Sequence, residues 1–235
     1  MTLEIAHNAV RRGRRTVLEA GRITVDAPAA LAVVGVNGSG KSSLFMQLTD
    51  TLTSRGRANI TLRGRHPTTA YVPQVPGLPS WLDAEQTAAL YGLRFGDLVD
   101  DLPGLHLAEI AGPRLSRLST GQRQVLSIAL ALGRDADLTL LDEPFSALDF
   151  RRRLGTLELL RERRAAGRAI VMSSQSAADL TEVCSHFVVI RDGRYIFDGR
   201  GVELAGDADP RRIEQRLLQL LTMPVSAMEA PLRES

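Results

Sequence analysis

Gly35-Val-Asn-Gly-Ser-Gly-Lys-Ser42 decides how the rest of the chain is read. The octapeptide fits G-x-x-x-x-G-K-[ST], the spacing of a phosphate-binding loop. Its Lys41 is the only lysine among 29 basic residues; every other one is arginine. An ammonium on a slim stem can reach between two phosphates as a point charge, where a planar guanidinium fork is too broad. The predicted cradle is the backbone of Gly35, Val36, Asn37, Gly38, Ser39 and Gly40, continued by Lys41, Ser42 and Ser43 at the start of a helix. The Ser42 hydroxyl is the expected Mg²⁺ ligand. An apolar strand, Ala30 to Val34, precedes the loop and a helix from Ser42 to about Leu52 follows it, which is the context the motif requires. The stretch implies nucleotide binding.

Composition bounds the remainder. A chain of 235 residues, 44% hydrophobic and 24% charged, can bury one large core. No apolar run approaches the length of a membrane span, and residues 1–15 run into Arg11, Arg12, Arg14 and Arg15 without a signal-peptide core. The single cysteine, Cys184, excludes an internal disulfide and fits a reducing cytoplasm. A net charge of +2 gives no reason to expect a nucleic-acid partner.

Along the chain, strands are predicted at Leu3–Ala9, Thr16–Leu18 and Arg22–Ala27 with a basic turn between the first two, then at Arg57–Leu62 and Ala70–Val72. From Asp83 to Gly133 the pattern is of short helices, and strand character returns at Leu138–Leu141, Ile170–Ser173 and Phe187–Ile190. The reading is an α/β core carrying an inserted helical subdomain near residues 76–134, in a domain spanning 1–222. Asp209–Leu221 reads as a terminal amphipathic helix and 223–235 as a flexible tail.

Two further runs carry chemistry. Leu138-Thr-Leu-Leu-Asp142-Glu143 is an apolar strand ending in two carboxylates. After a phosphate loop, the first is expected to complete the magnesium site and the second to orient or deprotonate the attacking water. Leu118-Ser-Thr-Gly-Gln122 opens a helix that stops at Gly133, with Ser119 and Gln122 spaced as a capping box. Gly121 in the first turn costs about 0.5–1 kcal/mol against Ala. A residue without a side chain there leaves backbone N–H groups open to an anion, the expected one being a nucleotide phosphate, with Ser119, Gly121 and Gln122 as the candidate residues.

On these runs the chain resembles the ATP-binding cassette (ABC) family over residues 3 to 220. Leu118-Ser-Thr-Gly-Gln122 is similar to that family's signature, ordinarily LSGGQ; Tyr71-Val-Pro-Gln74 is similar to its glutamine loop, and Ser146-Ala-Leu-Asp149 to the loop after its acidic strand. The resemblance implies a P-loop NTPase (RecA-like) core with an N-terminal β-subdomain and an inserted α-helical subdomain. It implies ATP and Mg²⁺ as cofactors, with Gln74 touching the metal site beside Ser42 and Asp142. It also implies a head-to-tail pairing with a second cassette, identical or not, in which each phosphate loop faces the other's signature. The expected function is that of the cytoplasmic ATPase subunit of an ABC transporter, peripheral to the inner face of the membrane through an integral-membrane partner. Trp81, close behind Gln74, is read as packed in the helical subdomain, the other reading being a place in the groove for that partner.

Two family positions differ. Where the family carries a switch histidine after its fourth apolar strand, Ile170-Val-Met-Ser-Ser174 leads into Gln175. A neutral amide replaces a charge-assisted bond at a cost of ~1–2 kcal/mol, or roughly ten-fold in rate if all of it is felt in the transition state. Where the family stacks an aromatic ring on adenine, counting back from the loop lands on Arg11 or Arg12; Arg12 is the stacking candidate, against a reading of a solvated basic turn. The alternatives kept open are a slow or non-hydrolysing regulatory cassette and a non-transport ABC ATPase acting on nucleic acid or the ribosome.

Overall fold

The computed structural model describes residues 2–49, 58–174 and 176–222. It opens with four strands: β1 (Thr2–His7), β2 (Val10–Arg12), β3 (Arg15–Leu18) and β4 (Gly21–Asp26). β5 (Ala30–Val34) leads through the phosphate loop to α1 (Lys41–Leu48), and β6 (Asn59–Leu62) and β7 (Thr69–Val72) follow. Next come only helices: α2 (Ala84–Leu90), α3 (Phe95–Asp101), three 3₁₀ turns at Pro103–Leu105, Leu107–Ile110 and Leu115–Arg117, and α4 (Thr120–Leu132). The chain then alternates β8 (Leu138–Leu141), α5 (Phe150–Ala165), β9 (Ala169–Ser174), α6 (Ala177–Val183), β10 (His186–Arg191), β11 (Arg194–Arg200), α7 (Gly201–Ala205) and α8 (Pro210–Thr222).

The main sheet has the order β11-β10-β5-β9-β8-β7, parallel except for β11. Every side chain of β5 is buried, as the unbroken apolar run Ala-Leu-Ala-Val-Val requires of a strand covered on both faces. Alternation along β5 sends Ala30, Ala32 and Val34 into the core shared with the helical segment and α6, and Leu31 and Val33 into the core shared with α1 and the N-terminal sheet. That second, antiparallel sheet runs β4-β1-β6. Its register sets Leu3 against Val25 and Leu62, and Ile5 against Ile23 and Ile60, so these pairs make an apolar face that ends at the buried His7.

Several boundaries move. The arginines predicted as a turn between two strands lie in a hairpin of their own, Arg11 and Arg12 in β2 and Arg15 in β3, turning at Gly13 and Arg14. The hairpin β10–β11 extends past the expected end at Ile190; its Asp192 and Gly193 both have positive φ, the demand of a tight turn whose twist matches its strands. The helix after the phosphate loop ends at Leu48, and its expected last residues, like the expected tail 223–235, lie outside the described ones.

α5 meets the helical segment backbone to backbone. A Cβ on Gly155 would run into the carbonyl of Gly104, and one on Gly104 would press on Gly155 Cα. Two opposing terms therefore act on Gly155→Ala: a helix-propensity gain of about 0.5–1 kcal/mol and an overpacking cost of about 1–3 kcal/mol. The clash is with backbone and cannot be relieved by a rotamer. The variant is expected to lose stability, seen as a lower denaturant midpoint; a rise would show that α5 can shift freely.

Candidate nucleotide site

The loop between β5 and α1 is shaped by backbone demands. Gly40 caps α1 at φ 117°, a conformation only glycine adopts readily, and a Cβ there would lie 2.9 Å from Val17 O of the β2–β3 hairpin. Gly35 and Ser39 are buried, whereas Val36, Asn37 and Gly38 are exposed along the rim. The loop is tied to the sheet by Gly193 N–H donating to Ser39 O at 3.0 Å. Lys41 is buried and folds back over the loop, its ammonium donating to Gly35 O at 2.6 Å and Val36 O at 3.3 Å. The carboxylate of Glu143 lies 3.4 Å from the same nitrogen, with both side chains only 6% exposed. Burial of an ion pair is costly unless hydrogen bonds complete it, and the two loop carbonyls supply them here.

The acidic strand β8 ends beside β9 and β7, so its carboxylates emerge at the same sheet edge as the phosphate loop. Asp142 N–H donates to Val72 O at 2.9 Å, which fastens the aspartate to the strand that precedes Gln74. Gln74 itself is exposed two residues past that strand end. Glu143 sits at φ 51°, rare for a residue with a side chain and typical of positions held for function by their surroundings. What holds it is Ser173, fully buried near the end of β9. Its hydroxyl donates to Asp142 Oδ1 at 2.6 Å and accepts from Glu143 N–H at 2.9 Å. One hydroxyl thus sets both acidic residues. Sequence reasoning passed over Ser173 as the end of a strand; its only signal was a polar residue inside the buried run Ile-Val-Met-Ser-Ser. Tyr71 packs its ring on Phe45 of α1, and burial, with the Asp142 charge second, pushes its hydroxyl up to about 12, so it stays neutral.

For a magnesium ion the donor set is of the fitting kind: the Ser42 hydroxyl, the Asp142 carboxylate left with one oxygen outside the Ser173 bond, and the Gln74 amide oxygen are all hard oxygens. Among the described residues no cluster of three His, Cys, Asp or Glu could cage a metal by itself.

The signature run lies apart. Among the described residues no hydrogen bond or ion pair joins Ser119, Gly121 or Gln122 to the phosphate loop of the same chain. Ser119 caps α4 by accepting from Gln122 N–H at 3.2 Å, and Gln122 Oε1 accepts from Ser119 N–H at 2.9 Å. Gly121 has a packing reason besides the expected one: a Cβ there would strike the Ala147 carbonyl in the loop after the acidic strand. Arg12 is exposed in β2, one turn of hairpin away from the Val17 carbonyl that abuts Gly40. Gln175 lies outside the described residues, immediately after β9. Trp81 is 69% exposed, contrary to the expectation that it packs inside the helical segment.

A family model described as "ABC transporter" matches residues 18–146. The aliphatic sulfonates import ATP-binding protein SsuB of Albidiferax ferrireducens is 33% identical, over 96% of this chain and 84% of its own. The chain belongs to the ABC transporter family. The cassette is also similar to the iron(3+)-hydroxamate import ATP-binding protein FhuC of Bacillus subtilis, at 28% identity over 90% of this chain and 87% of that one. It is similar as well to the Nod factor export ATP-binding protein I of Sinorhizobium fredii, at 28% over 85% and 63%. A solved ATP-binding subunit of an ABC transporter superposes with a TM-score of 0.76 at 24% identity, covering 97% of the cassette and 98% of that chain, which establishes the P-loop NTPase fold.

Ser173→Ala would leave the Glu143 amide buried without its acceptor, a loss of about 1–3 kcal/mol. The cassette is expected to unfold at lower denaturant by that amount and to bind MgATP more weakly, both checked by titration; an unchanged midpoint would show that water or a shifted strand replaces the hydroxyl.

Proposed function

We propose that this cassette is the ATP-binding and hydrolysing subunit of an ABC transporter, working on the inner face of a membrane through a separate integral-membrane subunit. The observation that carries the reading is the convergence of Lys41, Asp142 and Glu143 at one sheet edge, with Ser173 joining the two acids. Lys41 exchanges its loop carbonyls for the β- and γ-phosphate oxygens, and the amides from Gly35 to Ser43 complete the cradle. Bound Mg²⁺ would neutralise charge on the phosphates and be held by Ser42, Asp142 and Gln74. Glu143 accepts a proton from the attacking water, or orients it, and the left-handed backbone held by Ser173 keeps its carboxylate at the loop.

A second cassette completes the site. Among the described residues Ser119, Gly121 and Gln122 make no polar contact with the phosphate loop of their own chain; the capping box takes the Ser119 and Gln122 amides, and the helix start at Gly121, with its positive dipole end, suits the nucleotide of a partner copy. Arg12 is the stacking candidate for the base. The membrane subunit is received near Val75, Trp81, Leu90 and Tyr91, large apolar side chains exposed within one short stretch beyond Gln74. Similarity to both import and export ATP-binding proteins accords with cargo being chosen by that subunit. Gln175 favours a second reading, a slow or regulatory cassette, because a neutral amide replaces the expected imidazole.

Turnover and MgATP affinity of the purified complex with its membrane subunit test these roles. Lys41→Ala is expected to abolish binding. Glu143→Gln should bind MgATP as tightly as the wild type yet hydrolyse it at least about a hundred-fold more slowly. Gln175→His should raise turnover about ten-fold, and no acceleration would remove the second reading. A wild type without magnesium-dependent affinity for ATP would sink the whole assignment. Trp81→Glu should leave nucleotide affinity of the isolated cassette unchanged and abolish co-purification of the membrane subunit; retained co-purification would move the docking surface elsewhere.

A further inference from the structure

Arg152, in the first turn of α5, bonds both the loop after the acidic strand and the helical segment. Its Nη1 donates to Asp149 Oδ2 at 3.0 Å, and its Nη2 to Glu109 Oε2 at 2.7 Å in the turn Leu107–Ile110. Its backbone N–H also donates to Asp149 Oδ1 at 3.0 Å, so Asp149 caps α5 while gripping the guanidinium. The arginine side chain is 11% exposed while both carboxylates are more than half exposed, so the guanidinium is held in place by its surroundings and the acids remain in contact with solvent. Each carboxylate is met by its own nitrogen of a planar fork, a fixed spacing that the single nitrogen of an ammonium lacks.

The bridge closes a ring of contacts. From Glu143 the chain winds tightly through Ser146, whose hydroxyl donates to Glu143 O at 3.1 Å, and through Leu148 N–H donating to Phe145 O at 3.1 Å. Ala147 in that loop touches Gly121 at the head of α4, and Gly155 one turn along α5 abuts Gly104. On its other side α5 is tied by Arg153 to the buried carboxylate of Asp179 in α6, the helix that follows Gln175. The first turns of α5 therefore touch the acidic pair's loop, the 3₁₀ turns of the helical segment and the helix after Gln175, and that loop in turn touches the head of α4.

We propose that Arg152 is a positioning residue that locks the loop Ser146–Asp149 to the helical segment through Glu109, so that Glu143 and the Ser119–Gln122 helix start move as one body. The proposal rests on the catalytic reading of Glu143 and the two-cassette reading given above. In such a pair, each chain's acidic residue serves one site and its signature the other. The Arg152 bridge thereby couples the two sites, without touching substrate itself.

The test compares the wild type with Glu109→Gln, Arg152→Lys and the double variant. Amide hydrogen exchange over residues 119–122 and 143–149 needs no turnover and is read first. Each single variant is expected to exchange about five-fold faster in both segments, and the double no faster than Arg152→Lys alone, the mark of a shared interaction. Exchange equal to the wild type, or Arg152→Lys behaving as the wild type, overturns the bridge. Steady-state hydrolysis is read second: about a five-fold loss of turnover and a Hill coefficient falling toward one, with MgATP Kd and the thermal midpoint held. A parallel loss of Kd and thermal midpoint marks a general folding defect and overturns the positioning role. Wild-type protein that lacks turnover refutes the functional reading alone, and the exchange result then still decides the bridge.

Discussion

A single buried ammonium organises the business end of this molecule. Lys41 is enclosed by the loop it belongs to, bonded to Gly35 O and Val36 O and faced by the Glu143 carboxylate. A charge in such a place is tolerable only if its partners are fixed beforehand, since an uncompensated ion in a poorly hydrated setting costs several kcal/mol. That requirement reaches outward through the structure. The loop must present carbonyls inward, which needs Gly40 at φ 117°. Glu143 must be held at a left-handed φ, which needs Ser173, which in turn needs β9 to lie between β5 and β8.

The sheet order is thus part of the chemistry. With β9 inserted between the loop-bearing strand and the acidic strand, a residue near its end can reach both acids. The stretch between β7 and β8 is freed to form helices because these two strands are parallel neighbours and require a long crossover. The fold uses that crossover to carry the signature helix and an exposed apolar strip. The same segment is bolted back to α5 by Gly104, Gly155 and the Arg152 bridge, so the crossover is not a loose appendage.

Glycine in this chain does two different jobs that residue type alone does not separate. Gly40 is needed for its backbone angle, whereas Gly121 and Gly155 are needed because a backbone carbonyl occupies the space of a Cβ. At Gly121 the missing side chain lets the Ala147 loop pack against the head of α4. Trp81 shows the converse error of type-based reasoning. A large aromatic is most often a core residue, yet here it is exposed, as are Val75, Leu90 and Tyr91 in the same stretch of sequence.

The primary structure by itself determined what depends on local chemistry. The phosphate loop, the two-carboxylate strand end and the capping box at Ser119 were legible because each is a short pattern whose physics is complete within a few residues. The order of strands and helices was legible from periodicity, apart from the β10–β11 hairpin, whose Asp192-Gly193 turn went unread, and the arginines of the β2–β3 hairpin, whose charge masked their strand character. What only the tertiary structure decided are the contacts between residues far apart in the chain: Ser173 on Asp142 and Glu143, Gly121 on Ala147, and Arg152 between Asp149 and Glu109. No periodicity encodes these, because each depends on which strands are neighbours and how closely two backbones approach, and those are settled by the packing of the whole core.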